Sequence, residues 1–500
     1  MTSDAVLAID AGTTGTRAAW VDASGSAHGL SYERIQINYS AGGVVEQDAN
    51  VLLERTVSVA REAISHANAS GVRLLSMAIA AQRLTGVLWD TSTGRAVVPA
   101  MVWQDNRYKH DLQDLSTPWE ERSIAESGRR PGSTSAHYWA ARQIEQSQVL
   151  TTLKSQGRLA FGTVDTWLVW SLTNERRLLT SSTHLSSTDA YMLKSNEYRY
   201  EWIDVLGFPR DLLPTICRDV DDFGTSRADL IGASLPISVV IGDQQGAAIG
   251  LRNLTRGQAS CVHGTGSFID INTGNSIATC TPKSVSSVPY VGYLTRTAQS
   301  FLAENLAPTT GAALDWICNT LGLFSSASEI NHLASTVQTD TGILVNPALM
   351  GLYSPEYEPR VKVSISGLSG SSTRAELAHG VLAGVAHSIS DAVDALVEMS
   401  RTSINRVTVG GGLSASDVLM QMQADFTGLP HYRDRQADLA SLRGAAFLAG
   451  VDSGLWTDLS ETSANDAYDE FLPRLPADQK ARLRAEWRSR LESEIAHVRR

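Results

Sequence analysis

The sequence has few cysteines and no surplus of basic residues, and each shortage excludes a class of protein. Among 500 residues, Lys and Arg number 42 against 53 Asp and Glu, for a formal net charge of -11. Because phosphate binding needs a basic surface, this balance argues against nucleic acid as a main partner. The four cysteines form no CxxC pair, which predicts neither a zinc site nor a disulfide framework. They are Cys217, Cys261, Cys280 and Cys318.

Long apolar runs and a leader segment are also missing. No run reaches the length of a transmembrane helix. The N-terminus lacks the basic segment and apolar region that are typical of a signal peptide. We therefore expect a cytoplasmic protein with no membrane partner. Its composition, 43% hydrophobic and 19% charged, is typical of a soluble globular protein, and 500 residues are too many for one core.

The N-terminal stretch AVLAIDAGTTGTRAAWVDASG places a polar turn between two apolar runs. Residues 6–9 and 18–21 are short and partly β-branched, which predicts two buried strands. Gly12 and Gly15 permit unusual backbone conformations, and three threonine hydroxyls lie beside backbone N–H groups, so the turn could wrap an anion. Asp10, at the end of the first run, could hold a metal ion through water. An ordinary β-hairpin is the alternative that this stretch alone slightly favours.

The first half of the chain alternates strand-like and helix-like segments. Residues 74–82 and 86–90 are predicted strands, and residues 49–67 have helical spacing, with Asp48 or Asn50 as the N-cap. This alternation indicates an α/β architecture whose sheet contains parallel strands.

The second half repeats this theme. A second Gly/Thr turn, in ASCVHGTGSFIDINTG (259–274), again lies between strand-like runs, and a third glycine cluster at 406–425 leads from a strand through a turn to a helix. The pattern indicates two related domains that face a cleft. At the C-terminus, an apolar stripe predicts an amphipathic helix that docks on its own domain. The stripe consists of Leu483, Trp487, Leu491, Ile495 and Val498.

The motifs in chain order carry a resemblance to a known family. GxxxxGK[ST] is absent, which excludes a P-loop protein. Ten segments, spread over nearly the whole chain, match the motifs of one family in that family's order. They are IDAGTTGTR, AAQRLTGVLWDTSTG, AMVWQDNR, FGTVDTWLVWSLT, GDQQGAAIG, HGTGSF, TGAALDW, GLYSPEYEPR, VTVGGGLSASDVLMQMQAD and LRGAAFLAG. With them the chain resembles FGGY carbohydrate kinases, and most closely the glycerol kinase-like members.

The resemblance implies a fold and a division of labour between two domains. The expected fold class is α/β, with two actin and ribonuclease H-like domains and an interdomain cleft. Residues 1–246 would form the sugar or polyol side with the first phosphate turn. Residues 247–500 would form the nucleotide side and end in the amphipathic helix.

The resemblance also implies ATP and Mg²⁺ as cofactors, and a role for each matched residue. Asp243 matches the general base, Gln244 a substrate-contacting neighbour and Asp10 the residue that organises Mg²⁺. Glycerol kinases usually have Gln where Asp315 stands and Asn where Ser416 stands, so contacts with the base and ribose are expected to differ. The residues matching the ATP site are Thr13, Thr14 and Arg17 in the first turn, Gly264, Thr265 and Gly266 in the second, and Gly311, Asp315, Gly411, Gly412 and Ser416 around the nucleoside.

The sequence departs from glycerol kinases beside the substrate. Where they carry NQRE, this chain has AQRL, which keeps Gln82 and Arg83 but replaces the glutamate by Leu84. The loss of that acceptor removes a partner for a substrate hydroxyl. Ser133 stands near the position of a family tyrosine. Two further residues, Trp103 and Phe268, match an apolar wall against substrate carbons.

These departures predict a small-molecule acceptor other than glycerol, and the smaller Ser133 favours a four- or five-carbon polyol or ketose. The alternatives are a glycerol kinase with altered contacts, a xylulose-type pentulose kinase, and an ATPase of the actin or chaperone kind. Arg83, Trp103 and Asp243 favour a kinase, because such an ATPase needs no sugar pocket. Homodimers and homotetramers are common in the family, but the sequence shows no interface signal.

Overall fold

The computed structural model describes residues 3–281, 286–337, 341–354, 356–463 and 467–500. The chain forms two compact units, and neither is one uninterrupted stretch. The units describe compactness rather than evolutionary domains, so the predicted boundary after residue 246 stays a prediction. The first unit comprises Met1–Gly250, Tyr290–Phe301 and Leu439–Asn465, and the second comprises Leu251–Pro289, Leu302–Asp438 and Asp466–Arg500.

Strands and helices alternate through the first 250 residues, as the sequence pattern predicts. The strands are β1 (Asp4–Ala11), β2 (Gly15–Asp22), β3 (Ala27–Arg34), β4 (Asn38–Ser40), β5 (Val44–Gln47), β6 (Arg73–Ala81), β7 (Gly86–Asp90), β8 (Arg95–Ala96), β9 (Ala100–Met101), β10 (Leu159–Thr163), β11 (Leu179–Ser181), β12 (Tyr191–Met192), β13 (Glu197–Tyr198), β14 (Thr215–Cys217) and β15 (Ile237–Gly242). The helices are α1 (Ala49–Ala69), α2 (Lys109–Ser116), α3 (Glu120–Ser127), α4 (Ala136–Gln146), α5 (Gln148–Ser155), α6 (Val164–Leu172), α7 (Ser182–Ser186), α8 (Tyr200–Val205), α9 (Ala228–Ile231) and α10 (Asp243–Gly250).

The remaining elements follow the same alternation. The strands are β16 (Gln258–His263), β17 (Ser267–Gly274), β18 (Val288–Leu294), β19 (Gln299–Ala307), β20 (Leu344–Asn346), β21 (Ser364–Ser366), β22 (Arg406–Gly411), β23 (His431–Asp434) and β24 (Tyr468–Phe471). The helices are α11 (Gly311–Asp315), α12 (Ala327–Ser335), α13 (Arg374–Ser400), α14 (Asp417–Thr427), α15 (Ala440–Asp452) and α16 (Ala477–Arg499). Short 3₁₀ or π turns occupy Ala41–Gly43, Thr117–Trp119, Arg210–Leu212, Trp316–Thr320, Gly412–Ala415, Ala437–Leu439 and Glu461–Ser463.

A five-stranded mixed sheet forms the centre of the first unit, in the order β15-β6-β1-β2-β3. β15 and β1 both pair in parallel with β6, whereas β1, β2 and β3 pair antiparallel. The central strands are buried along nearly their whole length, which explains their continuous apolar runs. The predicted parallel strands are thus present. A second sheet of the first unit has the order β10-β7-β9-β5-β4, with β8 paired to β7.

The opening stretch is a β-hairpin in the structure. β1 and β2 pair antiparallel from Ala5 opposite Asp22 to Ala11 opposite Thr16. Both interpretations of this stretch require that geometry, so the hairpin alone does not decide between a plain turn and an anion site. α1 begins after Asp48, whose carboxylate accepts from the N–H groups of Asn50 and Val51, so Asp48 is the N-cap.

A seven-stranded sheet has the order β18-β19-β17-β16-β22-β23-β24. Its centre pairs β16 with β22 and β22 with β23 in parallel. In the second unit, α13 packs against α12 and α14. Among the described residues, α13 is the one helix long and apolar enough to cross a membrane, and its most apolar stretch is largely buried inside the protein. Cys217, Cys261 and Cys318 are free thiols.

The C-terminal helix α16 is docked on its own unit. Trp487, Leu491 and Ile495 are buried in one cluster with Ala348, Leu352 and Val361, and Val498 packs against it. A polar contact anchors the same face of the helix. Asp391, 1% exposed, accepts from the Trp487 indole N–H at 2.7 Å and pairs with the guanidinium of Arg484 at 2.5 Å.

Removal of the Asp391 carboxylate is expected to loosen this anchor. Asp391→Ala leaves the Trp487 indole N–H unpaired and removes the buried carboxylate partner of Arg484, whose guanidinium keeps its contacts with Asp394 and the His387 carbonyl. We expect a loss of roughly 3 kcal/mol in the free energy of unfolding. Asp394→Ala is the matched control, because Asp394 pairs with the same arginine but its side chain is 51% exposed, and it should cost about 1 kcal/mol or less. Urea unfolding followed by circular dichroism measures both. Equal losses for the two variants would refute the anchor.

Candidate functional site

Asp10 and Asp243 lie at the carboxyl ends of two strands in the central sheet of the first unit. Ala11, at the end of β1, and Gly242, at the end of β15, both pair with Ala81 of β6. Because both pairings are parallel, Asp10 and Asp243 emerge at the carboxyl ends of strands that are two positions apart. Adjacent strands are about 4.8 Å apart, so the two backbones are roughly 10 Å apart.

Asp10 is a buried carboxylate whose charge is only partly compensated by the nearby guanidinium of Arg17. The residue is 8% exposed, and Arg17, opposite it in the hairpin, places Nε 3.4 Å from Oδ2. Burial raises the pKa of Asp10, and the Arg17 guanidinium opposes that rise. A cation beside Asp10 would offset the cost of burying this charge. The described residues contain no cluster of three or more His, Cys, Asp or Glu that could hold a metal ion.

Asp243 is the first residue of α10 and directly follows β15. Its Oδ1 is 3.7 Å from Nε of Arg83 and accepts from the Gln244 N–H at 2.8 Å. Burial raises the pKa of Asp243 to about 6, with a further contribution from Asp10, while Arg83 acts in the opposite direction. A carboxylate with a pKa near the operating pH has the property that general-base catalysis requires.

Buried amides hold the first turn. Gln47 donates to the carbonyl of Thr13 at 2.9 Å and accepts from Gln82 at 2.9 Å, and Gln82 in turn accepts from the Thr85 hydroxyl at 2.9 Å. The Trp103 indole N–H donates to the Thr13 hydroxyl at 3.0 Å. These hydrogen bonds hold the first turn, and Thr14 within the turn stays exposed.

The predicted substrate residues of the first unit are only partly brought together. Arg83 lies beside Asp243, whereas Gln82 is 0% exposed and bonds to the turn, so its contact with substrate stays a prediction. The Oε1 atom of Gln244 is buried without a hydrogen-bond partner among the described residues, which suits an acceptor of a substrate hydroxyl. Ser133 is exposed in the segment before α4.

Leu84 stands out by its backbone. Its φ of 65° lies in the left-handed region, which is strained for a bulky side chain. Such conformations persist where the surrounding structure enforces them, and they cluster at functional sites. The side chain is half-buried and offers no polar group.

Sequence patterns did not predict that the aromatic ring of Tyr290 lies against Arg83. The guanidinium carbon of Arg83 lies 4.9 Å from the centroid of the Tyr290 ring, and that of Arg129 lies 5.5 Å from it. Arg129 is buried and donates to the carbonyls of Ser186 and Ser187 at the end of α7. No local pattern could have revealed these contacts, because the three side chains come from distant parts of the chain.

In the second unit, the predicted glycine segments meet at the ends of β16 and β22. His263, the residue before Gly264, pairs with Gly411. Gly411 has a φ of +84°, and a Cβ there would overlap the His263 carbonyl oxygen. A Cβ on Gly311 would overlap the carbonyl oxygen of Gly264, so glycine is required at both close approaches.

The second turn is fixed by backbone hydrogen bonds. The N–H of Gly264 donates to the carbonyl of Gly266 at 2.8 Å, and the carbonyl of Thr265 accepts from the N–H groups of Thr310 and Ala312. Gly264 and Thr265 themselves are exposed. The turn therefore has a defined shape and presents its outer backbone to solvent.

The remaining second-unit residues differ in their surroundings. Gly412 is exposed, and a Cβ added there would meet no heavy atom within 4 Å in the part of the chain that the structure describes. Ser416 caps α14 by accepting from the Leu419 N–H at 3.1 Å, and its hydroxyl donates to Asn331 at 2.6 Å. Asp315 is exposed, and Phe268 is half-buried opposite Val262. The predicted roles of these residues stay predictions.

Comparison with known proteins shows which family the chain resembles. The model of the N-terminal domain of the FGGY family of carbohydrate kinases matches residues 5–250, and that of the C-terminal domain matches residues 259–453. A glycerol kinase of Dechloromonas aromatica is 32% identical over 496 residues, with 98% of this chain and 97% of that protein covered. The resemblance found in the sequence is thereby confirmed.

Solved structures share the fold. Plasmodium falciparum glycerol kinase, solved with ADP, superposes with a TM-score of 0.91 at 22% identity and covers 99% of this chain and 98% of its own. Xylulose kinase from Rhodospirillum rubrum gives 0.86 at 19% identity, with 99% and 100% covered. The predicted fold class, two α/β domains of the actin and ribonuclease H-like type, is confirmed. The predicted cleft stays a prediction.

The open surface at Gly412 allows a test of nucleotide packing. Gly412→Ala adds a methyl group that meets no heavy atom of the described residues within 4 Å, so thermal stability should not change. If adenosine packs on this surface as predicted, the methyl group should raise the KM for ATP about tenfold, equivalent to about 1.4 kcal/mol. Gly370→Ala, at an equally open loop position, is the control. An unchanged KM for ATP in Gly412→Ala would remove Gly412 from the nucleotide site.

Proposed function

Because this chain belongs to the FGGY family of carbohydrate kinases, we propose that it phosphorylates a hydroxyl of a four- or five-carbon polyol or ketose. The chain is an ATP-dependent phosphotransferase with an alcohol group as acceptor, and its cofactors are ATP and Mg²⁺. A small sugar or polyol is its partner in the reaction. The expected cytoplasmic location and the oligomeric state stay predictions.

The arrangement around Asp243 carries the proposal. A carboxylate whose pKa is raised to about 6 lies beside the guanidinium of Arg83 at the carboxyl edge of the sheet. In the proposed reaction, Asp243 takes the proton of the acceptor hydroxyl as the acceptor oxygen forms its bond to the γ-phosphorus. The bond between that phosphorus and the β,γ-bridging oxygen breaks, and ADP leaves with the electron pair. Arg83 holds the carboxylate and can donate to neighbouring acceptor hydroxyls.

The residues present fit the cofactors. Asp10 is a buried carboxylate with a raised pKa, as expected of a group that a cation would stabilise. Mg²⁺ usually binds through one or two carboxylates together with phosphate oxygens and water. When bound, it supplies positive charge that shields the phosphate oxygens. Thr13, Thr14 and Arg17 would hold phosphate oxygens in the first unit, and Gly264, Thr265 and Gly266 in the second.

The nucleoside is assigned to the second unit. Gly311, Asp315, Gly411, Gly412 and Ser416 would line it. The ADP in the Plasmodium falciparum glycerol kinase structure belongs to that protein, and the fold shared with it supports the assignment.

The side chain of Leu84 supports an acceptor longer than glycerol. Leu84 is apolar and half-buried where glycerol kinases carry an acidic acceptor, so one hydroxyl partner of glycerol is missing. Ser133, where the family has a larger side chain, would leave space for a longer acceptor, and Trp103 and Phe268 would contact substrate carbons. Glycerol itself is the second candidate, because the relatives at 30–32% identity are named glycerol kinases.

Acceptor choice is expected to depend on residue 84. In an ADP-release assay, wild-type kcat/KM should be higher for a polyol or ketose among erythritol, threitol, xylitol, ribitol, arabinitol, xylulose, ribulose and erythrulose than for glycerol. Leu84→Glu should raise the relative efficiency with glycerol about tenfold, because it restores a hydroxyl acceptor. Leu84→Gly controls for relief of the backbone strain alone. A wild-type preference for glycerol would contradict the proposed acceptor.

The base assignment has a pH signature. Asp243 accepts a proton only when it is ionised, so kcat/KM should fall as pH drops below about 6. A cation at Asp10 would remove repulsion and move the midpoint lower. Asp243→Asn should lower kcat by at least 100-fold at every pH, because general-base catalysis contributes typically 10²–10⁴-fold. Asp229→Asn is the control, because it makes the same change at an exposed carboxylate that pairs with Arg227. Full activity of Asp243→Asn would refute the role of Asp243.

A further inference from the structure

The carboxylate of Asp219 is fully buried in the first unit and contacts two separate chain segments, one at Thr183 and one at Leu294. Its Oδ1 accepts from the N–H of Thr183 at 2.9 Å and from the Thr183 hydroxyl at 2.6 Å. Its Oδ2 accepts from the N–H of Leu294 at 2.7 Å. Burial raises the pKa of Asp219 to about 6, and the hydrogen bonds it accepts limit that rise.

The Thr183 side leads directly to Asp243. The N–H of Gly242, the residue before Asp243, donates to the Thr183 hydroxyl at 3.0 Å. Because this hydroxyl gives its own proton to Asp219, its lone pairs remain available to Gly242. The carbonyl of Asp219 also accepts from the N–H of Val240 at 3.0 Å. The end of β15 is therefore held through the N–H groups of Val240 and Gly242.

The Leu294 side leads to the ring over Arg83. Asp219 and Leu294 exchange two hydrogen bonds, because the Asp219 N–H also donates to the Leu294 carbonyl at 2.9 Å. Leu294 ends β18, the strand that carries Tyr290. One carboxylate thus connects β15, which ends just before Asp243, with β18, which carries the Tyr290 ring beside Arg83.

We propose that Asp219 and Thr183 are positioning residues for phosphoryl transfer, with Thr183 orienting Asp243 and Asp219 joining that orientation to Tyr290. The proposal rests on the proposed role of Asp243 as base. A carboxylate is needed at this position because donors approach both oxygens. An asparagine would turn an NH₂ group toward one of these donors and leave that contact broken.

The hydroxyl of Thr183 is tested by a pair of variants. Thr183→Val keeps the shape of the side chain but removes the contact with Gly242, so kcat should fall about 10- to 100-fold with little change in the KM for ATP. Thr183→Ser restores the hydroxyl and should stay within about twofold of wild type. Thr188→Val is the control, since Thr188 is also buried and its hydroxyl, among the described residues, bonds to Leu185 and Ala190 of its own segment.

Asp219→Asn tests the second half of the proposal. It breaks one side of the bridge, so it should lower kcat and also raise the KM for the acceptor, which Arg83 binds. The calorimetric stoichiometry of ATP binding gives the folded, binding-competent fraction of each preparation, and kcat is corrected for that fraction. A purely structural role would lower that fraction and leave the corrected kcat unchanged in Thr183→Val and Asp219→Asn alike, which would overturn the proposal.

Asp243→Asn, measured in parallel, separates the two levels of the account. If Asp243→Asn is inactive while Thr183→Val matches Thr188→Val, the base assignment stands and the positioning role falls. If Asp243→Asn keeps full activity, the proposed base is wrong and the positioning role falls with it.

Discussion

The parallel pairing of β1 and β15 with β6 is the constraint on which the site of the first unit depends. It brings Asp10 and Asp243, which are far apart in sequence, to one sheet edge. A shift of either strand by one residue would turn its carboxylate toward the other face. Burial at this edge raises the pKa of both carboxylates, and that electrostatic cost is reduced when a cation or a proton arrives. Both carboxylates therefore have raised pKa values at the positions where the proposed function needs a cation ligand, Asp10, and a proton acceptor, Asp243.

A charged edge of this kind needs rigid support, and buried polar side chains provide it. Gln47 and Gln82 hold the first turn, while Thr183 and Asp219 hold the end of β15. In a medium of low dielectric constant such hydrogen bonds are strong, and the loss of one partner is costly. Groups that stabilise the first unit would thus also hold the carboxylate of Asp243, the proposed base, in place.

Sequence patterns predicted the local features well, because those features depend on neighbouring residues. The hairpin around Gly12, the N-cap at Asp48 and the apolar stripe of α16 follow from periodicity and turn chemistry. The contacts of Tyr290 and Asp219 did not follow, since each joins segments that only the tertiary fold brings together. Gln82 lies between these two cases. Its motif was recognisable in the sequence, but its hydrogen bonds with Gln47 and Thr85 were not predictable from it.

The central claim is that the γ-phosphoryl group goes to a carbon-bound hydroxyl and not to water. Phosphorus NMR of the enzyme with Mg-ATP and its preferred acceptor measures this directly. The account predicts a phosphate monoester resonance that grows in step with ADP, with little inorganic phosphate. Inorganic phosphate released in step with ADP, with no monoester whichever acceptor is added, would contradict it.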